Sequence, residues 1–215
     1  MRLRSRSRAR CDREISVTAQ DGNTLRFYAT EAVAYASRGA KPNYRHLDRF
    51  MSVLPAGGSV LELGCGAGQD SEVMISQGFD VSPTDGTPEM AEAAEKRLGR
   101  PVAHLLFNDL DAVEAFDGIW ANACLLHVPR VDLPGIILRI HIALKTGGAF
   151  FASFKAGDAE GRDQFGRYYN YPSENWLREL YSTVAWEDIS LVADRGGGYD
   201  GKPTDWLYVM AIKGK

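Results

Sequence analysis

The chain has 215 residues, of which 45% are hydrophobic and 10% aromatic, and its formal net charge is −3. This length and apolar content suffice for the core of one large domain. No apolar run approaches the roughly 20 residues of a membrane span, and no apolar segment follows the first arginines as in a secretory signal, so we expect a cytoplasmic protein without a membrane partner.

The charge is distributed unevenly along the chain. Six of the 25 basic residues lie within the first 13 positions, which leaves 19 basic and 27 acidic residues in the remainder. An arginine-rich arm can bind RNA or an anionic surface, but such tails are more often solvated, so we expect residues 1–14 to be disordered. The acidic remainder, residues 15–215, disfavours nucleic acid as substrate. We expect it to be a single domain that acts as a monomer or weak homodimer.

The cysteines and histidines are few and scattered. Cys11, Cys65 and Cys124 are odd in number and lack Cys-x-x-Cys spacing, which argues against a disulfide framework or a zinc site. The histidines are not clustered either. We therefore predict no structural metal.

The first helix that the sequence predicts begins after Asn43. Residues 15–28 show no clear period, whereas Asn43 can cap a helix that ends at Pro55. The residues sharing its apolar face are Tyr44, Leu47, Phe50, Met51 and Leu54. This helix is predicted to pack ahead of the first strand.

A short apolar run then leads into three glycines, Gly64, Gly66 and Gly68, within residues 59–70. Glycine permits a tight turn, so the pattern predicts a buried strand that enters a ligand-binding loop. A helix over residues 70–77 would aim its free N–H groups and positive dipole end at the space above the loop. A polar ligand is implied.

The glycine spacing discriminates between ligands. The dinucleotide fingerprint is G-x-G-x-x-G, whereas this loop reads G-x-G-x-G. Glu62-Leu63-Gly64-Cys65-Gly66-Ala67-Gly68 resembles the first motif of the class I S-adenosylmethionine-dependent methyltransferases, and the resemblance continues to about Gly157. It implies S-adenosylmethionine as cofactor, with S-adenosylhomocysteine as its product. The residues implied to bind it here are Glu62, Gly64, Cys65, Gly66 and Gly68.

In that family, the segment before the first strand often folds over the cofactor. Residues 15–57 would then be a cover segment, and Tyr28 and Tyr35 are its candidate cofactor contacts. Ordinary aromatic packing is the alternative interpretation of both rings.

The second strand is predicted over residues 79–84, and Asp85 follows at its carboxyl end. An acid about 20 residues beyond the glycine loop can accept hydrogen bonds from ribose hydroxyls, and we expect its side chain to face an open crevice. A turn or capping role is the alternative. The residues from Asp85 to Met90 resemble the family's second motif, which implies that Gly86, Thr87 and Met90 also contact the cofactor. Thr87 and Pro88 are predicted to begin a helix that Gly99 ends.

The third strand is predicted over residues 102–107. The resemblance implies that Asp109 and Leu110, just beyond it, recognise the adenine. Asn108 or Asp111 could take this role instead, because the connection to the next strand is short.

The fourth strand, residues 118–122, leads into Leu125-Leu126-His127-Val128-Pro129. This stretch resembles the small bacterial methyltransferases of the tellurite-resistance-like branch. It implies that Asn122, Ala123 and His127 border the adenosine and the transferable methyl group. His127 is also a candidate general base, although a structural hydrogen-bonding role is the more common one for such a histidine.

A helix with an apolar stripe is predicted from Leu133 to Leu144, stopped by Thr146-Gly147-Gly148, and a fifth strand over residues 149–154. Residues 158–172 are polar and rich in glycine and tyrosine, so we interpret them as a lid or substrate loop with Tyr168 and Tyr169 as candidate catalytic residues. A helix capped by Ser173 and strands over residues 186–193 and 206–212 complete the chain.

The alternation of strands and helices predicts an α/β fold, a doubly wound Rossmann-like sandwich. The resemblance adds a seven-stranded, mostly parallel sheet in the order 3-2-1-4-5-7-6, with one antiparallel strand. It implies an enzyme that transfers a methyl group from S-adenosylmethionine to a small-molecule acceptor, whether nitrogen, oxygen, sulfur or a metalloid. The alternatives are a non-catalytic adenosine-binding or regulatory protein and, less favoured by the glycine spacing, an NAD-dependent oxidoreductase.

Overall fold

The computed structural model describes residues 19–39 and 41–214, so the predicted arm lies outside the described residues. Its strands are β1 Ser59–Leu63, β2 Asp80–Asp85, β3 Ala103–His104, β4 Phe116–Ala121, β5 Leu144–Lys155, β6 Gly161–Arg162, β7 Tyr168–Tyr169, β8 Trp186–Gly197 and β9 Pro203–Lys213. Its helices are α1 Gly22–Ser37, α2 Tyr44–Met51, α3 Gln69–Ser76, α4 Pro88–Leu98, α5 Leu133–Ala143 and α6 Glu174–Tyr181. None of the described helices is long and apolar enough to cross a membrane.

The central sheet has seven strands in the order β3-β2-β1-β4-β5-β9-β8. The first five are parallel neighbours, and β9 pairs antiparallel with both β5 and β8. This order and the single antiparallel strand confirm the predicted fold. Strands β6 and β7 form a separate hairpin.

The core lies on both faces of the sheet because successive strand residues point to opposite sides. Leu61, Ile119 and Phe150 pack on one face with α5 and α6, whereas Val60 and Trp120 pack on the other with α2 and α3. Helix α5 places its predicted apolar residues in the first of these clusters, with Leu133, Ile136, Ile137 and Ile140 all buried.

The sequence did not predict helix α1. Asp21 caps it by accepting a hydrogen bond from the Thr24 N–H at 2.9 Å, and only Thr24 and Ala32 of the helix are buried. A helix with so few buried positions lacks the apolar stripe by which helices are recognised. Its position over the carboxyl ends of the central strands therefore comes from tertiary packing.

Several boundaries also differ from the prediction. The third strand is limited to Ala103–His104, and Phe107–Asp109 forms a 3-10 turn instead. Helix α5 ends at Ala143 and β5 begins at Leu144, so Thr146-Gly147-Gly148 lies within a strand and does not stop the helix. Strands β8 and β9 are longer than predicted, which reduces the loop between them to a short turn.

Candidate active site

A cleft of about 1040 Å³, including its open mouth, lies at the carboxyl ends of β1, β2 and β4. Open α/β sheets bind ligands at this edge, where neighbouring loops diverge. Helix α1 covers the cleft and contributes Thr24, Tyr28 and Tyr35 to its wall. Most of the predicted cofactor contacts line it: Tyr28, Tyr35, Glu62, Gly64, Cys65, Gly66, Asp85, Gly86, Thr87, Met90, Asn122, Ala123 and His127.

The floor of the cleft is the loop between β1 and α3. Gly64 and Gly66 have φ values of +64° and +57°, which side chains other than glycine rarely adopt. A Cβ on Gly64 would lie 2.5 Å from the Cβ of Cys124, so the close approach of the two loops also requires glycine there. Gly68 was predicted to bind the cofactor but does not line the cleft. It precedes α3, and a Cβ there would lie 3.1 Å from Leu98.

Asp85 ends β2 and holds the glycine loop. Its carboxylate accepts hydrogen bonds from the Gly66 N–H at 3.0 Å, the Thr87 N–H at 2.9 Å and the Thr87 hydroxyl at 3.2 Å. The side chain is only 8% exposed, and burial raises the pKa of its carboxyl group. Asp85 thus lines the cleft, as expected, but its side chain is buried and bonded to the loop, so it also has the turn-stabilising role that the sequence left as the alternative.

Two further buried acids line the cleft beside the loop. Glu62 accepts a hydrogen bond from the Ser71 hydroxyl, and its pKa is raised well above the usual value by burial and by the nearby Asp70. Asp70 accepts from the Trp120 indole at 2.9 Å and from the Asn122 amide at 3.0 Å. Burial raises its pKa too. The cleft is thus prepared for a ligand that carries positive charge.

Asn122 connects this acid to the end of β4. Its carbonyl oxygen accepts from the Ser153 hydroxyl at 2.7 Å, and that hydroxyl oxygen accepts from the Ala123 N–H at 2.8 Å. Ala123 has a φ of +54°, an uncommon value for a residue with a side chain. These bonds hold the turn after β4 in a strained conformation against the cleft.

His127 is held at both ring nitrogens. Nδ1 lies 2.6 Å from the carbonyl oxygen of Tyr168, and Nε2 lies 3.0 Å from the hydroxyl of Tyr28. Because a carbonyl oxygen can only accept, Nδ1 carries the hydrogen of the neutral ring and Nε2 accepts from Tyr28. Burial lowers the pKa of His127 to about 3. The ring is therefore neutral at physiological pH, and its accepting nitrogen is already in use.

The predicted adenine contacts are displaced along the chain. Asp109 and Leu110 do not line the cleft, because the 3-10 turn places Leu110 in the core beside α5. Phe107 lines the cleft in their place. The turn replaces the predicted end of the third strand, so the positions matched by resemblance are shifted.

The side chains of Tyr168 and Tyr169 do not line the cleft, contrary to their predicted catalytic role. The Tyr168 hydroxyl donates to Glu160 at 2.7 Å, and Tyr169 is 2% exposed, with Lys155 above its ring. The two residues still contact His127, since the Tyr168 carbonyl oxygen accepts from its Nδ1 and the Tyr169 ring lies 4.6 Å from its ring between centroids. Residues 158–172 contain the β6–β7 hairpin and contact α1, since the Tyr168 N–H donates to Thr24 at 2.9 Å.

Sequence reasoning missed nine residues of the cleft wall: Gln20, Asp21, Thr24, Leu25, Lys41, Gln69, Asp70, Phe107 and Cys124. Gln69 and Asp70 directly follow the glycine motif, so they could have been proposed from their position. The residues of α1 had no such signal, because the helix itself was not predicted. Among the described residues, no group of three or more His, Cys, Asp or Glu side chains is arranged to hold a metal ion.

Comparison with known families agrees with this architecture. The family described as "Methyltransferase domain" matches residues 35–190, which is more than half of the chain. The chain belongs to the class I S-adenosylmethionine-dependent methyltransferases. The match includes β1 to β5, the glycine loop and the polar residues at the strand ends.

The names of the curated relatives of this methyltransferase domain indicate different substrates. The ubiquinone biosynthesis O-methyltransferase of Xanthomonas axonopodis pv. citri is 37% identical over 106 residues, which cover 46% of this chain and 44% of that protein. The trans-aconitate 2-methyltransferase of Variovorax paradoxus is 29% identical over 161 residues, which cover 68% and 56%. The chain spans about half the length of the curated relatives it matches.

Solved methyltransferase structures share the fold at low identity. The 1,6-didemethyltoxoflavin-N1-methyltransferase of Burkholderia thailandensis, with its substrate and S-adenosylhomocysteine bound, has a TM-score of 0.69 at 23% identity and covers 90% of this chain and 88% of its own. A phosphoethanolamine N-methyltransferase of Haemonchus contortus, with phosphomonomethylethanolamine and S-adenosylhomocysteine bound, has a TM-score of 0.73 at 16% identity. It covers 93% of this chain and 61% of its own.

Proposed function

We propose that this chain transfers a methyl group from S-adenosylmethionine to a small-molecule acceptor. The observation that carries this proposal is the cleft at the strand ends, which combines a glycine loop with three buried carboxylates. We further propose that the domain belongs to the tellurite-resistance-like branch, on the strength of Leu125-Leu126-His127-Val128-Pro129. The curated relatives and solved neighbours support methyl transfer to small molecules.

The residues of the cleft fit S-adenosylmethionine group by group. Glu62 and Asp70 are buried acids that suit its ammonium and sulfonium charges, because a nearby cation offsets the cost of burying a carboxylate. Asp85 suits the ribose hydroxyls through the accepting capacity that its loop hydrogen bonds leave free. Met90 and Phe107 offer apolar surface for the adenine, and Lys41 in the same wall suits the carboxylate.

When bound, S-adenosylmethionine would supply an activated methyl group, because its sulfonium sulfur is a leaving group that would keep the electron pair of the carbon–sulfur bond. The chain's own task is then to hold the acceptor in line with that methyl group. Such positioning can supply on the order of 7–11 kcal/mol of the barrier reduction. No nucleophilic side chain is required.

We assign His127 the role of orienting Tyr28, in place of the general-base role that its position suggested. Its Nε2 accepts from Tyr28 and its pKa of about 3 lies far below neutrality, so it is a poor base. The Tyr28 oxygen also accepts from Arg167 at 3.1 Å, which leaves one lone pair on a hydroxyl that lines the cleft. Tyr28 can use this lone pair to orient an acceptor through a protic group.

Calorimetric titration with S-adenosylmethionine, S-adenosylhomocysteine and NAD tests the cofactor. We expect saturable binding of both adenosyl ligands and none of NAD. Saturable NAD binding without a response to either adenosyl ligand would contradict the proposal and favour the oxidoreductase alternative.

A second experiment tests turnover. A panel of small phenols, amines, thiols, carboxylic acids and metalloid oxyanions is incubated with the protein and S-adenosylmethionine, and S-adenosylhomocysteine formation is measured. We expect turnover with at least one class. Tight binding of the adenosyl ligands with no turnover across the panel would instead support the non-catalytic, adenosine-binding alternative.

A further inference from the structure

Arg167 is a charged side chain inside an aromatic enclosure. It is 2% exposed, and its guanidinium carbon lies 4.5–5.7 Å from the ring centroids of Phe27, Tyr28, Phe165, Tyr169 and Tyr199. Cation–π contacts stabilise such a group, but burying a charge is costly unless it is also paired and hydrogen-bonded. The groups that pair with its charge therefore determine what this side chain does.

One side of the guanidinium is paired within the hairpin. Arg167 Nε and Nη2 donate to the Asp163 carboxylate at 3.0 and 2.7 Å. The same carboxylate accepts from the backbone N–H groups of Phe165 and Arg167 at 3.0 Å each. The turn between β6 and β7 thus fixes both the carboxylate and the arginine that it neutralises.

The other side of the guanidinium contacts a residue of the cleft wall. Nη1 donates to the Tyr28 hydroxyl oxygen at 3.1 Å. Because arginine can only donate, the hydrogen of that hydroxyl is left to point at Nε2 of His127, which lies 3.0 Å away. These contacts form a series of hydrogen bonds whose direction is determined. Arg167 donates to Tyr28, Tyr28 donates to His127, and His127 donates to the Tyr168 carbonyl.

The first donor and the last acceptor of this series of hydrogen bonds belong to adjacent residues of the hairpin. Arg167 supplies the first donor and Tyr168 supplies the final acceptor, whereas Tyr28 belongs to α1 and His127 follows β4. Seating the hairpin on α1 therefore sets the orientation of the Tyr28 hydroxyl and the tautomer of His127 together.

We propose that Arg167 is a positioning residue for methyl transfer, which acts through the Tyr28 hydroxyl and couples the seating of the hairpin to the assembly of the acceptor site. This inference rests on the proposed function. Arg167 itself does not line the cleft, so its effect on the acceptor is indirect. Its removal should change the hydrogen bonding of His127 while the buried acids Glu62, Asp70 and Asp85, which have other partners, stay in place.

The direct test is nuclear magnetic resonance of protein labelled with ¹⁵N-histidine. In the wild type, we expect His127 to show the neutral Nδ1–H tautomer with a hydrogen-bonded Nε2. Tyr28→Phe should move the Nε2 resonance downfield, toward that of an unbonded ring nitrogen, and Arg167→Met should move it in the same direction. Adding Arg167→Met to Tyr28→Phe should cause little further shift, since Tyr28→Phe already removes the hydroxyl through which Arg167 acts on His127.

Arg178→Met is the matched control. Arg178 also pairs with a carboxylate, that of Glu174 at 2.6 Å, but within α6 and outside the packing of the hairpin on α1. We expect it to leave the His127 resonances unchanged. An Arg167→Met protein whose Nε2 resonance stays at the wild-type position would overturn the proposal. Arg167→Lys, which keeps the charge but lacks the planar fork, carries the same test if the methionine variant does not fold.

A kinetic cycle tests the coupling with the acceptor that the panel identifies. We expect Arg167→Met to lower kcat by about 10²-fold, the effect of a small misplacement near the reacting groups, while the calorimetric Kd for S-adenosylhomocysteine stays near wild type. In the Tyr28→Phe background, the same substitution should have little effect on kcat. Additive losses of kcat would show that Arg167 does not act through Tyr28 and would overturn the proposal. If the wild-type protein does not bind S-adenosylhomocysteine at all, the proposed function is refuted, whereas the coupling between Arg167 and Tyr28 is judged by the resonance data.

Discussion

At the scale of single residues, Asp85 combines a binding role with a structural one. Two N–H groups and one hydroxyl already donate to its carboxylate, so the side chain holds the glycine loop before any ligand binds. A buried donor that loses its partner costs about 1–3 kcal/mol. The same side chain therefore contributes to stability and, by our proposal, to recognition of the ribose.

Substitution of Asp85 separates the two contributions. Asp85→Ala should weaken S-adenosylhomocysteine binding by at least about tenfold and lower the free energy of unfolding by about 1–3 kcal/mol. Asp85→Asn should lose less stability than the alanine variant, because its single amide oxygen can still accept on one side while its NH2 group faces a donor on the other, and it should also bind less tightly than the wild type. Calorimetry and denaturant titration measure the two quantities. Unchanged affinity in the alanine variant would place the ribose elsewhere.

His127 predicts a pH dependence of stability. Its pKa falls from 6.5 in the unfolded chain to about 3 in the folded one, so between these values only the unfolded chain binds the proton. Stability is therefore complete above pH 6.5 and decreases as the pH is lowered toward 3, by about 1.4 kcal/mol per unit at most.

The comparison with His127→Asn isolates this contribution, because the other titrating groups are present in both proteins. From pH 7 to pH 5, the wild type should lose about 2 kcal/mol of unfolding free energy more than the variant does. Denaturant titrations at both pH values measure the difference. Equal losses in the two proteins would mean that His127 accepts a proton in the folded state.

At the scale of elements, the loop from β1 to α3 requires glycine for two reasons: its backbone conformation and the lack of room for a side chain. Gly64 has a left-handed φ and faces Cys124, whereas Gly78, after α3, has a φ of +88° with nothing within 4 Å of an added Cβ. Substituting alanine at each position therefore distinguishes the cost of backbone strain from the cost of steric overlap with Cys124. The two glycines form a matched pair within one strand-loop-helix unit and its exit turn.

Gly78→Ala should cost only the conformational strain, about 1–2 kcal/mol. Gly64→Ala should cost more, because a Cβ 2.5 Å from that of Cys124 forces the two loops apart, and it should also weaken S-adenosylhomocysteine binding. Thermal melting and calorimetry of both variants test this. Equal destabilisation of the two variants, with intact binding in each, would contradict the importance of the close contact.

At the scale of the whole molecule, the cleft joins parts of the chain that are distant in sequence. Its wall includes α1, the loops after β1, β2 and β4, and the turn after the short β3. A ligand that contacts all of these regions binds the folded state alone, so its binding energy is added to the stability of the entire domain.

Saturation with S-adenosylhomocysteine should therefore raise the melting temperature. At 100 times the Kd the stabilisation is about 2.7 kcal/mol, which corresponds to a rise of roughly 5–11 °C for a domain of this size. At the same ligand concentration, Asp85→Ala should show about half of the wild-type rise, and NAD should produce none. A rise with NAD as large as that with the adenosyl ligand would contradict the proposed specificity.

The sequence alone determined the α/β class and the edge at which the ligand binds, while the order of the seven strands was implied by the family resemblance. Apolar runs of strand length, the stripe of α5 and the punctuation by glycine and proline are local patterns that follow from backbone geometry. Gly64, Gly66 and Asp85 could be assigned to the cleft for the same reason, since each lies at a predicted strand end or directly after one. Their spacing also distinguished this cofactor family from the dinucleotide-binding proteins.

Only the tertiary structure decided which side chains complete the cleft. Helix α1 buries too little of its surface to leave a periodic signal, so Thr24 could not be assigned. The contact of Arg167 with Tyr28 spans 139 positions and depends on how the hairpin packs on α1. Neither Tyr168 nor Tyr169 lines the cleft, because the Tyr168 hydroxyl pairs with Glu160 and the Tyr169 ring is buried. Local sequence specifies elements and their ends, whereas contacts between distant elements depend on packing that no short pattern encodes.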